Sequence, residues 1–373
     1  MESHRRLLSG AGHPVRVIAG RGDCELIPEL DSRHPEVEAL TERLAAGADV
    51  SGEFESLSRR IAESLSGALR EVDLVLVHNV LTMHFNLPLA QALSRSGKAL
   101  LAWTHDLAWS NPRYAAFQRH EFPYNLIQRP FPGVRYTAIS ERVKGQLEET
   151  LEVTGEVVPN GIDRLGLLRI RPATRDLLAP TGVLDADPLV LVPFRVTGRK
   201  RLETVISTAA LLATGYPGLK VVVTGPLGPH SRGNLDYWAR LSELRDRLGV
   251  ADRVVFLHEL GPPHPVDEEM VAELYQLASA VLLTSESEGF GLPVLEAGLA
   301  RVPVVCSELD VFREVAADLA WTFPVDAGPP AVAAVLAEAL GTRQAQLQSR
   351  VRRRYDWQHV LPMIEKEIAL AIR

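Results

Sequence analysis

Two glutamates around a pair of glycines are the residues whose types and spacing could do chemistry. Glu288, Gly289, Phe290, Gly291, Leu292 and Pro293 stand in a row, and Glu296 follows three residues after the proline. An apolar run, Ala280 to Leu283, comes shortly before and reads as a buried strand. Proline is favoured at the first turn of a helix, because its missing N–H would lack a partner there anyway. Val294 to Ala300 are therefore expected to be helical, and VPVVCS (Val302 to Ser307) reads as a second buried strand. Glycines before a helix N-terminus leave backbone N–H groups open, and the helix dipole favours negative charge there. Glu288, in the loop, and Glu296, placed in the first turn of the helix, could accept hydrogen bonds from hydroxyl groups. An anion site flanked by carboxylates suits a phosphate-bearing ligand rich in hydroxyls, such as a sugar phosphate or a nucleotide sugar. The bland alternative is a tight turn with two solvated glutamates. The spacing between two buried strands argues against it, since a motif is confirmed by its structural context.

A second group of residues lies in PFRVTGRK. Arg195 and Lys200 follow an apolar run that reads as a strand. Basic groups just past a strand end can clamp a diphosphate, arginine as a planar fork and lysine as a point charge. Arg199 and Arg201 are rivals for the lysine's role, and an exposed basic loop is the alternative. His105 ends the run KALLAWTH, and His78 and Asn79 end DLVLVHN in the same way. A histidine there could orient a hydroxyl or help move a proton, or it could be a satisfied structural side chain. The spacing of His78 and His84 matches no metal site. His230, His258 and His264 are scattered among loops.

These residues need strands to carry them, and the chain supplies them. Val15 to Gly20, Asp73 to Asn79, Lys98 to His105, Val134 to Ser140 and Gly155 to Asp163 read as strands. Helices are expected within 36–70 (two of them), near Asn86 to Ser94 and from Glu141 to Leu151. Asp106 to Gly133 has no clear period and reads as a long packed loop, its Trp109, Tyr114, Phe117 and Tyr124 either packing as core or stacking on a ligand. From Leu165 to Asp187 the pattern loosens, as in a linker. The alternation then restarts: strands at 188–196, 219–225, 253–259, 280–283, 302–307 and 319–323, with helices at 201–214, 234–248, 266–279 and from Pro330 onward. Strands alternating with helices imply a parallel sheet covered on both faces. The expected architecture is α/β with two Rossmann-like domains: residues 1–164 with 355–373 crossing back, a linker at 165–187, and residues 188–354. Ligands in such sheets bind beyond the carboxyl ends of the strands, so the cleft between the domains is the expected site. Arg350, Arg352, Arg353 and Arg354 read as a solvated helix face.

Composition narrows the class. The chain has 373 residues, 46% hydrophobic and 23% charged, which suits two globular domains. A net charge of −7 argues against general nucleic-acid binding. Cys24 and Cys306 are the only cysteines, far apart, with no disulfide framework or zinc-ligand spacing. The opening residues do not read as a signal peptide, and no run of ~18 apolar residues occurs in this sequence, so neither a leader nor a membrane span is expected. The expectation is a cytoplasmic protein without a transmembrane segment; peripheral membrane contact stays open.

Glu288-GFGLPVL-Glu296, followed by PVV and Glu314, resembles the donor-site signature of family 4 of the retaining GT-B glycosyltransferases. The resemblance covers nearly the whole chain and is most specific from Ala280 to Glu314, then in Val158 to Asp163 and Pro193 to Arg201. It implies the GT-B fold and transfer of a hexosyl group from a UDP- or GDP-hexose to a hydroxyl acceptor. It implies no cofactor besides the donor, and no metal. Arg195 and Lys200 would hold the donor diphosphate, together with the amides of Gly289, Phe290, Gly291 and Leu292. Glu288 would bind sugar hydroxyls, Glu296 the ribose, and His105 would lie close to the transferred sugar. His78 and Asn79 are acceptor-side candidates, and Glu314 could interact nearby. The chain departs from the family in two places. The opening strand and its glycine-rich loop look missing, as in a late start or a protein lacking part of the acceptor side. SELDVFRE also lacks the glycine expected after the second strand. That leaves an alternative, a nucleotide-sugar-binding protein without transferase activity. An epimerase or phosphorylase would need a proton-abstracting pair or a phosphate pocket, and neither can be placed.

Overall fold

In the computed structural model, residues 1–227, 233–261 and 266–373 are described; His230 and His264 lie outside them. The chain divides into two compact units, Met1–Ile162 with Trp357–Arg373, and Asp163–Asp356.

The first unit is built on four short apolar runs: β3 (Leu74–His78), β4 (Ala99–Thr104), β5 (Val134–Ala138) and β6 (Glu156–Val157), which pair in that order, all parallel. A separate two-residue pair, β1 (Ile18–Ala19) with β2 (Glu25–Leu26), stands apart. The strand expected over Val15 to Gly20 is thus shorter and does not join the main sheet. A Cβ at Gly20 would meet the Asp31 backbone at 2.1 Å, so the chain folds back there instead of running on. β3 is an edge strand of the main sheet.

Helices α1 (Glu2–Gly10), α2 (Pro35–Ala45), α3 (Ser51–Ala68), α4 (Leu87–Ser94) and α5 (Glu141–Leu151) accompany this sheet. In α3, Phe54, Leu57, Ile61 and Leu65 are buried at 3–4-residue spacing, the apolar stripe of an amphipathic helix. Side chains start two of the helices. Asn86 accepts from the Leu89 amide at 3.1 Å, and Ser140 accepts from Val143 at 3.3 Å, satisfying donors the helix leaves open. The aromatic segment 106–133 holds three short 3₁₀ turns; Tyr124 is buried, and Trp109, Tyr114 and Phe117 pack against the core.

The second unit begins with α6 (Arg164–Leu167) and α7 (Pro172–Leu178). The segment expected as a linker is therefore part of a folded body. Ile170, Leu178, Val183 and Leu184 are buried in its core, and Arg171 pairs with Asp267, Glu269 and Glu273. Its helices are too short and too interrupted by Gly166, Pro172 and Gly182 to show a period.

Strands β7 (Leu189–Val192), β8 (Lys220–Val223), β9 (Val254–Phe256), β10 (Ala280–Leu283), β11 (Val304–Ser307) and β12 (Trp321–Phe323) follow, with helices α8 (Leu202–Leu212), α9 (Gly233–Arg247), α10 (Glu268–Leu277), α11 (Leu292–Leu299), α12 (Asp310–Ala316), α13 (Pro329–Leu340) and α14 (Arg343–Tyr355). The six strands are parallel in the order β12-β11-β10-β7-β8-β9. All side chains of β7, β10 and β11 are buried, as strands covered on both faces require. The chain runs outward from β7 through β9, then restarts at β10 and runs the other way. The strand order therefore reverses between β7 and β10, the switch point where open α/β sheets bind ligands beyond the carboxyl ends.

The last helix, α15 (Trp357–Ile372), returns to the first unit. Its Val360 and Ile364 are buried with Leu8, Trp103 and Val158. Among the described residues, no helix is long and apolar enough to cross a membrane.

Candidate functional site

The switch point gathers the second unit's predicted residues. PFRVTGRK leaves the end of β7, and SESEGFGL leaves the end of β10. Lys200 is 5% exposed, and its ammonium donates to Glu288 Oε1. Ser285 Oγ donates to the same oxygen at 2.7 Å, and Arg199 reaches Glu288 Oε2 at 3.4 Å. Lys200 Nζ also sits 3.7 Å from the centre of the Phe194 ring, a cation–π contact. Burial pulls the lysine below its usual range, while the hydrogen bond to Glu288 and its charge oppose that. The rest of the loop is tied down: Thr284 Oγ1 donates to the Lys200 carbonyl at 2.6 Å, and Ser307 Oγ to that of Ser285 at 2.6 Å. Lys200 and Glu288, predicted for different parts of a ligand, thus form one buried ion pair.

Arg195 is exposed and has no hydrogen-bond or ion-pair partner among the described residues. Arg201, a rival for the lysine's role, is committed elsewhere: it sits at φ +48° and donates to the carbonyls of Val325 and Ala327. The amides of Gly289, Phe290 and Gly291 make no backbone hydrogen bond among the described residues. Gly291 adopts φ +97°, and a Cβ there would meet Phe312 at 3.0 Å, so the position needs glycine. Phe290 and Leu292 are exposed. Glu296 lies in the second turn of α11, not the first, because the helix begins at Leu292. Its Oε2 accepts from Tyr275 Oη at 2.6 Å. Tyr275 is buried in α10, and burial, then Glu296, pushes its phenol far up. Tyr275 and Ser285 are the residues that sequence reasoning missed here. Tyr275 reads as one more core residue of an amphipathic helix. Ser285 is three residues before Glu288, a spacing that could have signalled a local hydrogen bond. Glu314 is exposed on α12 without a partner among the described residues.

The first unit has its own cluster. His78 ends β3, and His105 directly follows β4. Their rings stack with centroids 5.9 Å apart. His4, from α1, shares a hydrogen bond of 3.1 Å between its Nδ1 and His78 Nε2, and its ring lies edge-on to Trp103 and Trp357. Burial holds all three imidazoles down, His4 at about 4 and His78 at about 3 with neighbouring positive charge adding to it, while at His105 the Asp106 charge works against the lowering. The three rings are therefore neutral at pH 7. Nothing in the sequence signals His4, which lies 74 residues from its partner. Asn79 is committed to the backbone: its Oδ1 accepts from the His105 and Asp106 amides at 3.0 and 2.9 Å. It fixes the turn after β4, which leaves its carbonyl oxygen unavailable to an acceptor. No group of three or more metal-ligating side chains occurs among the described residues.

Comparison with known proteins meets the same unit. The family model for Glycosyl transferases group 1 matches residues 176–354. The matched residues span most of the second unit, which is thus similar to a glycosyl transferases group 1 domain. The chain is similar to the mannosylglucosylglycerate synthase of Thermotoga maritima, at 24% identity over 84% of this chain and 77% of that protein. It is also similar to the D-inositol 3-phosphate glycosyltransferase of Nocardia farcinica, at 34% identity over 41% of this chain but only 32% of that protein. Among solved structures, Anabaena HepE in complex with UDP and glucose matches 84% of the chain and is itself covered over 82%, at 19% identity and a TM-score of 0.38. The switch point, with Lys200, Glu288 and Glu296, falls inside the matched residues.

Proposed function

We propose that this chain is a retaining, metal-independent glycosyltransferase that moves a hexosyl group from a nucleotide diphosphate sugar to a hydroxyl acceptor. The observation that carries the reading is the switch point of the second unit. There a largely buried Lys200–Glu288 pair stands together, at the ends of β7 and β10, with Arg195 and glycine amides that have no partner among the described residues.

Arg195 and the loop amides hold the diphosphate, and the dipole of α11 adds to them. Lys200, released in part from Glu288 as the ligand enters, neutralises charge growing on the leaving phosphate. Glu288 then accepts from sugar hydroxyls. Glu296, oriented by Tyr275, accepts from the ribose. Two cations and the amides supply the charge that a divalent ion would otherwise bring. Retention follows from departure and attack on one face, the leaving phosphate taking the acceptor proton. His105, and after it His78, are the first unit's candidates for handling a hydroxyl. As neutral imidazoles they can both donate and accept.

The test is calorimetry on the folded chain with UDP-, GDP- and ADP-sugars in EDTA, followed by an acceptor screen. One donor is expected to bind and to turn over without added metal. Donor binding with neither transfer nor slow hydrolysis would establish a binding protein instead, and binding that needs a divalent ion would overturn the metal-independent site.

A further inference from the structure

The amino-terminal end of the same sheet carries a basic cavity of about 460 Å³. Its lining includes Asp187 and Pro188, just before β7, and Ser279, just before β10. It therefore lies at the amino ends of the two strands whose carboxyl ends carry Lys200 and Glu288. β7 is four residues long, so about 13 Å of strand separates the two sites.

Three arginines of α14, Arg350, Arg353 and Arg354, line the cavity against one carboxylate, Asp187. Asp187 is already engaged: Ser349 Oγ donates to it at 2.8 Å, and Arg353 pairs with it. Arg350 and Arg354 are exposed and have no carboxylate partner among the described residues. The fourth arginine fixes the wall. Arg352 is 5% exposed, and its guanidinium donates to the carbonyls of Ala186 and Leu277, which locks the rotation of α14. The expectation of a solvated helix face therefore fails for Arg352 alone; Arg353, though paired with Asp187, is exposed like Arg350 and Arg354. Tyr216 and Pro188 add an apolar side.

We propose that this cavity binds an organic phosphate, a phosphate ester on a small body. Guanidinium forks match phosphate oxygens, the uncompensated charge favours a dianion, and the volume falls within the ordinary range for small ligands. The body of the ligand rests against Tyr216 and Pro188.

The test is calorimetry on the full chain with inorganic phosphate, glycerol 3-phosphate, a hexose monophosphate, and vesicles with and without phosphatidylglycerol. A phosphate ester is expected to bind saturably. Arg350→Gln/Arg354→Gln should weaken it at least tenfold, while Glu288→Gln leaves it unchanged. Saturable binding to phosphatidylglycerol vesicles alone, lost in the double arginine variant, would assign the phosphate to a lipid headgroup. No binding by folded protein, binding undiminished in the arginine variant, or loss only in Glu288→Gln would overturn the site.

Discussion

The two units finish their parallel strands on titratable side chains, and they treat charge in opposite ways. At the ends of β7 and β10 the second unit keeps full charges, Lys200 against Glu288, in a place where neither is more than slightly exposed. At the ends of β3 and β4 the first unit stacks His105 on His78 and packs His4 against His78 and two tryptophans, and burial keeps the rings neutral. Taking a charge out of water is costly unless it is paired, so the second unit needs a partner for each ion. The first unit avoids the cost by holding bases in their uncharged form. A site with stored cations and open amides suits an anionic group; a site of neutral imidazoles suits a hydroxyl.

The sharpest way to break this contrast is through the ion pair. Glu288→Gln is expected to lower turnover at least 100-fold, as loss of a strong electrostatic contact does, which steady-state kinetics would show. Glu288→Ala should also cost about 3–5 kcal/mol of stability, because it leaves Lys200 buried and alone. Lys200→Met/Glu288→Leu should recover much of that in urea unfolding while remaining inactive. Single and double variants of equal stability would mean that the pair is no more than a surface contact.

Arg195 comes next. It is exposed and without a partner among the described residues, so Arg195→Ala should leave the melting temperature within about 1 °C, as surface changes usually do. Losing a charge-assisted bond to phosphate should weaken donor binding about tenfold. A drop in stability without a change in donor affinity would remove it from the site.

The histidine cluster predicts a pH effect on the first unit. His4 and His78 titrate near 4 and 3 when folded, below the ordinary 6.5. Between those limits the unfolded chain binds more protons, so stability is complete above about pH 6.5 and falls as the pH drops toward 4. A loss of about 5 °C in the unfolding temperature between pH 7 and pH 5 is the expected scale. His4→Phe should flatten that slope; an unchanged slope would show that the cluster does not titrate with folding.

The smallest effect belongs to Tyr275. Tyr275→Phe removes one hydrogen bond to Glu296 and should weaken donor binding about threefold, with the fold intact. No change would mean that Glu296 needs no orienting group.

Much of the second unit was legible because its strands are short, wholly apolar runs and its loop has a distinctive composition. Glu288, Gly291 and Lys200 were named from type and spacing, and the structure brings them to one switch point. Other features had no local signal. The 165–187 segment folds through short helices interrupted by glycine and proline. His4 reaches His78 across 74 residues. Tyr275 looks like any core residue of α10. The arginines of α14 read as one solvated run, yet Arg352 is buried and Arg353 paired.

The sequence by itself determined where most strands, the longer helices and the glycine loop occur, since these follow from periodicity and from the backbone preferences of glycine and proline. Only the tertiary structure decided which charges are partners. Burial raises the cost of an unpaired ion, so whether Lys200 waits for a phosphate or sits against Glu288 depends on what packs around it. A sequence lists both charges and fixes neither their distance nor their exposure to water.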